Sequence, residues 1–353
     1  MGLTATLAQT LRTEYPSNLD KNEDRLSQYG AWEAFVSDTN SPDSIITQDV
    51  IDKAKRSAGN SVAVPVIDGE DVTISNVRSC TISEYENTSA LVTLTFVTYA
   101  FGFTMVPAQY YNNNVNYEAD WANKMKKYLK KFAATLDSAA VAKLEADKSQ
   151  IMASPLIGSG AAYGELSGNA IQVAPGMQQF FFNDLDAIMA ADDFYGPYNI
   201  IGSQSLKSVV RKYLNQGNNN GVNSAYQFGD YNFGYSNRVT VGSEKAASLY
   251  AMPKGTLATI NRNDPDSIAG SMINSENYFE EVSLPIVNLT MGSRYFKECA
   301  DHSGYNGGSQ NQLKASVRET FMFSTDVCFI TAYNRDNTTL AGPIHKAELT
   351  VGP

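Results

Sequence analysis

The stretch Tyr117–Lys148 reads YEADWANKMKKYLKKFAATLDSAAVAKLEADK, and it follows a strand-like run, Leu91–Phe103 (LVTLTFVTYAFGF). Large apolar residues recur along it every three or four positions, which is the spacing of one face of a helix. This spacing predicts a single amphipathic helix of about thirty residues, ~45 Å long, which is longer than ordinary globular domains use. The apolar face consists of Tyr117, Trp121, Met125, Tyr128, Phe132 and Leu136, and Val141 and Leu144 continue it less strictly.

A second strand-like run, Val72–Thr81 (VTISNVRSCT), lies upstream, and the polar link Ser83–Ser89 joins it to Leu91–Phe103. Both runs alternate apolar residues with Thr or Ser, as half-buried strands do. We expect them to form a long hairpin. A long hairpin that leads into a long helix reaches outward rather than enclosing a pocket, so it predicts contact with a neighbouring molecule.

Charge is distributed unevenly across this hairpin and helix. Between Ser57 and Asn123 the chain has no lysine and a single arginine, Arg78, whereas five lysines follow within the helix before the next acid, Asp137. This pattern predicts that the hairpin pairs with a basic surface of a neighbour, and that the lysines contact either phosphates or an acidic surface. The candidate interface residues are Glu70, Asp71, Glu84 and Glu86 in the hairpin and Lys124, Lys126, Lys127, Lys130 and Lys131 in the helix.

Composition excludes several broad classes. The chain has 353 residues, 43% of them hydrophobic, which predicts a globular protein of two or three lobes. Its net charge of −10 argues against a protein whose main task is to grip nucleic acid. It has no apolar run of the ~20 residues that a membrane span needs and no signal-peptide pattern at its start, so we expect it to fold in a cytoplasm. The three cysteines, Cys80, Cys299 and Cys328, have no disulfide or metal spacing and are expected to be small buried residues.

The rest of the chain predicts a helical start, a mixed middle lobe and a β-rich end. The first sixty residues have too little apolar surface for a core of their own, so they read as an arm that lies on another surface. After Pro155 the composition shifts to Gly, Ser and Asn, which marks a domain boundary. The predicted helices are Gln28–Ser37, Ser44–Ser57, Met177–Met189 and Leu206–Leu214, and the predicted strands are Ser61–Ile67, Tyr198–Ile201, Arg238–Val241, Leu257–Asn261, Tyr278–Thr290, Ser293–Phe296, Ala315–Phe323, Val327–Tyr333 and His345–Val351.

The segment Gly217–Gly234 is polar, aromatic and rich in glycine, and it is predicted to be an exposed loop or the tip of a lobe. Aromatic loops bind sugars, bases or other proteins. Because tyrosine is enriched at protein–protein contacts and the chain is acidic, we favour a subunit contact. Its candidate residues are Tyr226, Phe228 and Tyr231.

Catalytic and cofactor motifs are weak. The two histidines, His302 and His345, have no partner at ligand spacing. The glycines of LIGSGAAYG (Leu156–Gly164) depart by one residue from the dinucleotide-binding spacing, and a hinge explains them better. The acid pairs Asp192-Asp193 and Asp264/Asp266 are expected to be solvated turn residues. We therefore predict no catalytic residue, no metal and no cofactor.

In the order of its parts, the chain resembles the major capsid proteins of tailed bacteriophages with the Hong Kong 97-type fold, an α+β fold. The resemblance covers nearly the whole chain and rests on the order and texture of the elements, without a diagnostic motif. It implies an N-terminal arm (residues 1–60), an extended hairpin called the E-loop (61–116), and a long spine helix within a peripheral domain (117–160 and 275–353). It also implies an axial α/β domain (161–274).

The resemblance implies a non-enzymatic protein that assembles with copies of itself, as pentamers and hexamers, into an icosahedral virion shell. That shell would enclose double-stranded DNA without sequence specificity and would form in the cytoplasm of a bacterial host. The implied partners are a separate scaffolding protein, a portal and decoration proteins, but no membrane. Some members cross-link an E-loop lysine to an asparagine of a neighbour; residues 61–116 contain no lysine, so we expect no such cross-link.

Two alternatives remain open on the sequence alone. The Asn/Tyr/Gly-rich middle lobe is compatible with a carbohydrate- or small-ligand-binding protein. A shell of the encapsulin type would share the fold but would package enzymes instead of DNA.

Overall fold

The computed structural model describes residues 29–57, 59, 61–68, 88–111, 116–151, 163–164, 169–217, 231–284, 289–301, 315–332 and 341–351. Helices and strands are mixed along the chain, as the α+β prediction requires. The helices are α1 (Gly30–Thr39), α2 (Gln48–Arg56), a 3-10 turn (Pro107–Tyr110), α3 (Tyr117–Asp147), α4 (Gln178–Ala191), α5 (Gln204–Gly217) and α6 (Pro265–Ala269). The strands are β1 (Ser61–Asp68), β2 (Thr88–Thr95), β3 (Val97–Met105), β4 (Tyr163–Gly164), β5 (Ile171–Val173), β6 (Tyr198–Ser203), β7 (Tyr231–Ser236), β8 (Lys245–Pro253), β9 (Leu257–Arg262), β10 (Met272–Asn274), β11 (Asn277–Leu284), β12 (Leu289–Asp301), β13 (Ala315–Thr331) and β14 (His345–Thr350).

The first of two six-stranded sheets is built around β13. Its order is β10-β11-β12-β13-β3, and every pair is antiparallel. The strand β9 also pairs with β13, beyond the end of β12. The sheet therefore joins segments that lie more than two hundred residues apart in the sequence.

The second sheet belongs to the middle of the chain and has the order β4-β5-β14-β8-β6-β7. Its β5–β14 and β6–β7 pairs are parallel and the others are antiparallel. Helices α4 and α5 supply its core with Phe181, Phe182, Leu185 and Leu206, all fully buried.

The predicted long helix is confirmed as α3, of 31 residues. Asn116 caps it, because its side chain accepts a hydrogen bond from the Glu118 N–H. One face packs on the first sheet, against Phe103, Phe321 and other aromatic residues. The buried residues of this face are Trp121, Met125, Leu129, Phe132, Ala133, Leu136, Asp137, Ala140, Val141 and Leu144.

The predicted apolar face of this helix is wrong at one position. Leu129 is fully buried, whereas Tyr128 is 38% exposed. The single three-residue step of the pattern thus falls between Leu129 and Phe132, one turn later than predicted. Tyr128 lies at the margin of the interface, where its ring stacks on those of Phe101 and Phe103 and its hydroxyl group can reach water.

The predicted strand Leu91–Phe103 is in fact two strands with different partners. The first, β2, pairs with β1, whereas β3 joins the large sheet beside β13. The chain changes sheets at Phe96, which is buried and lies beneath the Arg262 guanidinium, 4.2 Å from the ring centroid. The hairpin therefore has Ser61–Asp68 as its observed first strand, and the predicted strand Val72–Thr81 lies outside the described residues.

Several other predictions are corrected. Arg238–Val241 is not a strand but part of the turn between β7 and β8, and β8 was not predicted. One continuous strand, β13, replaces the two strands predicted at Ala315–Phe323 and Val327–Tyr333. It continues because β12 pairs with its first part and β9 pairs with its last part. The run predicted at Tyr278–Thr290 divides into β11 and β12.

Sheet membership also differs from the predicted division of the chain at residue 275. Strand β9, which comes before that point, belongs to the sheet of β13. Strand β14, which comes after it, pairs with β5 and β8 of the middle-lobe sheet. Strand β10 (Met272–Asn274) also comes before that point and pairs with β11 in the sheet of β13, so two strands depart from the predicted division in one direction and one strand in the other.

Helix α1 lies between the two sheets. Trp32 packs in the core beneath the first sheet, and Phe35 packs with Ile201 and Tyr250 of the second. Both side chains are almost completely buried. The helix was predicted two residues earlier, at Gln28–Ser37, and as part of an arm; its described residues form part of the common core.

Candidate assembly surface

The five predicted lysines lie on the first half of α3, opposite and beside its buried face. Lys127 and Lys131 are exposed, whereas Lys124, Lys126 and Lys130 are half-buried. Helical spacing keeps all five out of the apolar interface. The helix thus presents a cationic strip on the outside of the first sheet.

Lys124 is already engaged within its own chain. Its Nζ lies 3.0 Å from an Asp120 carboxylate oxygen and contacts the Thr104 carbonyl oxygen and the Met105 sulfur. Asp120 also accepts a hydrogen bond from the Tyr110 hydroxyl group, and these contacts help to lower its pKa. Lys124 therefore fastens the end of β3 to α3, which leaves Lys127 and Lys131 as the more accessible cations of the strip.

The other predicted interface residues are placed only in part. Glu70, Asp71, Glu84, Glu86, Tyr226 and Phe228 lie outside the described residues. Tyr231 belongs to strand β7 rather than to a loop, which corrects the prediction for that residue. Its hydroxyl group donates a hydrogen bond to the Phe182 carbonyl oxygen at 2.9 Å, and its ring packs against Tyr198 at 5.8 Å between centroids.

Two buried aspartates were not predicted, and both hold α1 in place. The Asp137 Oδ1 atom accepts the Ala31 and Trp32 N–H groups at 3.0 and 3.1 Å, and its Oδ2 accepts the Ser236 hydroxyl. It therefore ties α3 to the first turn of α1 and to β7. Burial raises the pKa of Asp137 despite these hydrogen bonds.

Asp38 holds the other end of α1. Its carboxylate accepts hydrogen bonds from Asn199 Nδ2 at 2.7 Å and from the N–H groups of Gly255 and Leu257 at 3.0 and 3.3 Å. These partners belong to β6, to the β8–β9 connection and to the first residue of β9. Burial raises the pKa of Asp38 as well. The only sequence signal for these two aspartates is that the acidic Asp137 falls on the buried face of α3, among apolar residues.

The histidine and the acid pairs that the sequence offers as catalytic candidates make contacts within the fold. Asp192, predicted to be a solvated turn residue, is buried beside His345, with Oδ2 and Nε2 3.4 Å apart, whereas Asp193 is exposed. Burial lowers the pKa of His345, which favours its neutral form. Asp264 caps α6 through the Ser267 N–H.

The cysteine prediction is right for one residue and wrong for another. Cys328 is buried, and burial raises the pKa of its thiol to about 11. Cys299 is exposed on β12. Cys80 and His302 lie outside the described residues.

Within the described part of the chain, no group of three or more His, Cys, Asp or Glu side chains is arranged to hold a metal ion. No helix in the same ranges combines the length and the apolar character that a bilayer crossing requires.

Comparison with solved structures identifies the class of fold. The protein from Mycobacterium phage Bobi has a TM-score of 0.50 at 11% sequence identity, over 95% of this chain and 94% of that one. The protein from Mycobacterium phage Che8 has a TM-score of 0.47 at 10% identity, over 86% and 88% of the two chains. The chain of the bacteriophage PhiM1 mature capsid has a TM-score of 0.44 at 10% identity, over 85% of each chain.

At these identities the likeness concerns the fold. The resemblance to phage capsid proteins, predicted from the order of the elements, is thereby confirmed at that level. No protein-family model matches the sequence, and no curated protein does so either.

Proposed function

We propose that this chain is the major capsid protein of a tailed bacteriophage, a subunit that assembles with copies of itself into an icosahedral shell around double-stranded DNA. The observation that carries this proposal is the fold shared with a phage protein over 95% of the chain. A hairpin that precedes a 31-residue helix supports it, because such elements extend beyond a compact lobe.

Within this proposal, the β1–β2 hairpin belongs to the E-loop and α3 is the spine helix. Strand β3, although it lies in the range 61–116 predicted for the E-loop, belongs to the sheet of β13. The sheet of β13, which includes β3, β9 and β10, is the peripheral domain, and the sheet of β8, which includes β14, is the axial domain. Residues 1–60 form the arm, except that α1 is built into the core. The segment containing Tyr226 and Phe228 contacts a neighbouring subunit at the tip of the axial domain.

The proposed partners follow from the same assignment. Neighbouring copies pair the acidic hairpin residues Glu70, Asp71, Glu84 and Glu86 with the lysine strip of α3. A scaffolding protein, a portal and decoration proteins act during and after assembly, which takes place in the bacterial cytoplasm. Neither an enzymatic step nor a cofactor has a part in it.

The test is the size of the particles that the full chain forms. Purified protein, alone and after co-expression with the genes that neighbour its own, is analysed by sedimentation velocity and negative-stain microscopy. Closed shells of hundreds of subunits are expected. A protein that remains a monomer under all of these conditions, and binds sugars or small ligands saturably, would instead establish the ligand-binding alternative.

The contents of the particles distinguish a genome shell from a cargo compartment. Particles from infected or induced cells are treated with nuclease, opened, and their nucleic acid and protein are measured. Protected double-stranded DNA of uniform length is expected; protected enzyme without DNA would favour the encapsulin-type alternative.

A further inference from the structure

An amine, a carboxamide and a carboxylate meet on one face of the second sheet. Lys245 lies on β8, Glu348 on β14 and Gln172 on β5, which are three adjacent strands in the order β5-β14-β8. The Lys245 Nζ atom donates a hydrogen bond to the Gln172 Oε1 atom. The Glu348 Oε2 atom lies 3.2 Å from Gln172 Nε2 and 3.7 Å from Lys245 Nζ. The carboxylate therefore lies within reach of both nitrogen atoms.

A β-bulge brings the lysine to this face. Leu349 packs in the core under α4 and α5, so its neighbour Glu348 lies on the opposite face of β14. Ala247 pairs with Leu349 whereas Lys245 pairs with Thr350, which shifts the register by one residue. Without this shift Lys245 would lie on the same face as Ala247, two positions along the strand. The bulge thus turns its side chain toward the glutamate and the glutamine.

Further contacts fix which atoms of these side chains face each other. The Lys346 Nζ atom lies 3.4 Å from Glu348 Oε1, which leaves Oε2 to the amide and to Lys245. Gln172 Nε2 also donates a hydrogen bond to the Ala170 carbonyl oxygen at 3.2 Å, so the amide directs its nitrogen away from Lys245 and its oxygen toward it. The side chains of Lys245 and Glu348 are only 21% and 17% exposed, which limits competition from water.

We propose that Lys245 and Gln172 become joined by an amide bond within the chain, with Glu348 as the catalytic acid and base. Because Oε1 is bonded directly to Cδ, the lysine nitrogen already lies beside the carbon atom that it attacks. All three side chains belong to one chain, so this bond is distinct from a cross-link between neighbouring subunits. It does not depend on the proposed shell function.

The reaction exchanges one amide nitrogen for another. Glu348 takes a proton from the Lys245 ammonium group, and the neutral amine attacks the Gln172 Cδ atom to form a C–N bond. The protonated Glu348 then gives its proton to Nε2 as the Cδ–Nε2 bond breaks and ammonia leaves. The extra proton on the new amide nitrogen passes through Glu348 to the ammonia. The products are a secondary amide, an ammonium ion and the restored carboxylate, and no oxidant or co-reactant is consumed.

The bond would join β5 to β8 across β14 and restrain the unfolded chain. Its two residues are 73 positions apart, so the bond closes a long loop and lowers the conformational entropy of the unfolded chain. The variant Lys245→Arg keeps the positive charge beside Glu348 but has no amine to react. It should therefore melt several degrees below the wild type.

Mass spectrometry of the purified full-length chain tests the proposal. The denatured wild type should be lighter than its sequence by the mass of one ammonia molecule. Trypsin should fail to cleave after Lys245 and should release a branched peptide that contains both Lys245 and Gln172. A wild type that keeps its full sequence mass after prolonged incubation in the folded state would overturn the proposal, as would an ammonia loss that maps to any other residue.

Three variants show whether these side chains carry out the reaction. Lys245→Arg and Glu348→Gln should each have the full sequence mass, whereas Lys207→Arg, at an exposed position of α5, should keep the deficit. Circular dichroism verifies folding, and Glu348→Asp, which should form the bond more slowly, replaces Glu348→Gln if that variant does not fold. A deficit that persists in Lys245→Arg or in folded Glu348→Gln would contradict the assigned roles. A lower melting temperature of Lys245→Arg without any mass deficit in the wild type would show that these contacts are only hydrogen bonds and ion pairs, and would overturn the proposal.

Discussion

Asp137 links the stability of the fold to pH, because burial shifts the pKa of its carboxyl group. Burial raises its pKa above the ordinary aspartate value of 3.8, so the folded chain holds a proton more tightly than the unfolded chain does. The associated stability is fully present below the unfolded pKa and is lost as the pH rises through the folded pKa. Burial also raises the pKa of Asp38, so its contribution to stability depends on pH in the same direction.

The variant Asp137→Asn removes this titration. We expect the free energy of unfolding of the wild type, minus that of the variant, to fall as the pH rises above about 4 and to level off beyond the raised pKa. Urea unfolding at a series of pH values measures this difference, with circular dichroism to verify that the variant folds. A difference that is flat or rises with pH would show that the pKa of Asp137 is not raised.

Gly30 is fixed by how closely two backbones approach each other. A Cβ atom there would lie 2.4 Å from the Tyr235 nitrogen and 2.6 Å from its carbonyl oxygen, so β7 and α1 would have to separate. Gly30→Ala should lower the free energy of unfolding by about 1–3 kcal/mol. Gly176→Ala is the control, because a Cβ there meets no atom within 4 Å. Chemical denaturation of both variants makes the comparison, and equal stabilities would contradict the expectation.

At the scale of elements, the outer face of α3 should act in assembly and not in folding. Replacing Lys126, Lys127 and Lys130 by Glu reverses the strip without changing a fully buried position. We expect fewer particles by sedimentation and an unchanged far-ultraviolet circular dichroism spectrum. The same positions replaced by Gln should have an intermediate effect, since they lose attraction without gaining repulsion. Normal assembly of the Glu variant at both low and high salt would rule out charge pairing.

The long helix could be predicted because apolar residues recur at every third or fourth position over many turns. The edge of its buried face could not be predicted, because Tyr128 and Leu129 are both apolar enough to be buried. Packing against the sheet decides which of the two is buried. The division of Leu91–Phe103 into two strands was equally inaccessible. It follows from the pairing of β3 with β13, strands that lie more than two hundred residues apart in the sequence.

On the scale of the whole molecule, Asp38 holds the two sheets to one helix. In Asp38→Ala the N–H groups of Gly255 and Leu257 and the Asn199 amide lose their shared acceptor. The two halves should then unfold less cooperatively, so that the calorimetric transition broadens or divides. Glu33→Ala, an exposed change on the same helix, should leave one sharp transition. A single unaltered transition in Asp38→Ala would contradict this role.

The candidate interface was only partly accessible to sequence reasoning. The cationic strip follows from lysine spacing, and α3 displays it. The sequence alone did not distinguish Lys124 from the other four lysines, because its contacts with Thr104 and Met105 depend on how the end of β3 packs beside α3. Tyr231 was assigned to a loop because its glycine- and asparagine-rich surroundings concealed a strand. The placement of β9 in the sheet of β13 and of β14 in the sheet of β8 leaves no local trace, since strand pairing over such separations is decided by the packed whole.

The central strand of the first sheet, β13, has a consequence for biosynthesis. It is the neighbour of β3, β9 and β12, yet it leaves the ribosome more than two hundred residues after β3 does. Until then Phe101 and Phe103 lack the strand on which they stack. Exposed apolar surface of this kind is prone to aggregation during synthesis. Production of the subunit should therefore depend on nascent-chain chaperones, whose workload would be set by the rate of translation rather than by the stability of the finished fold.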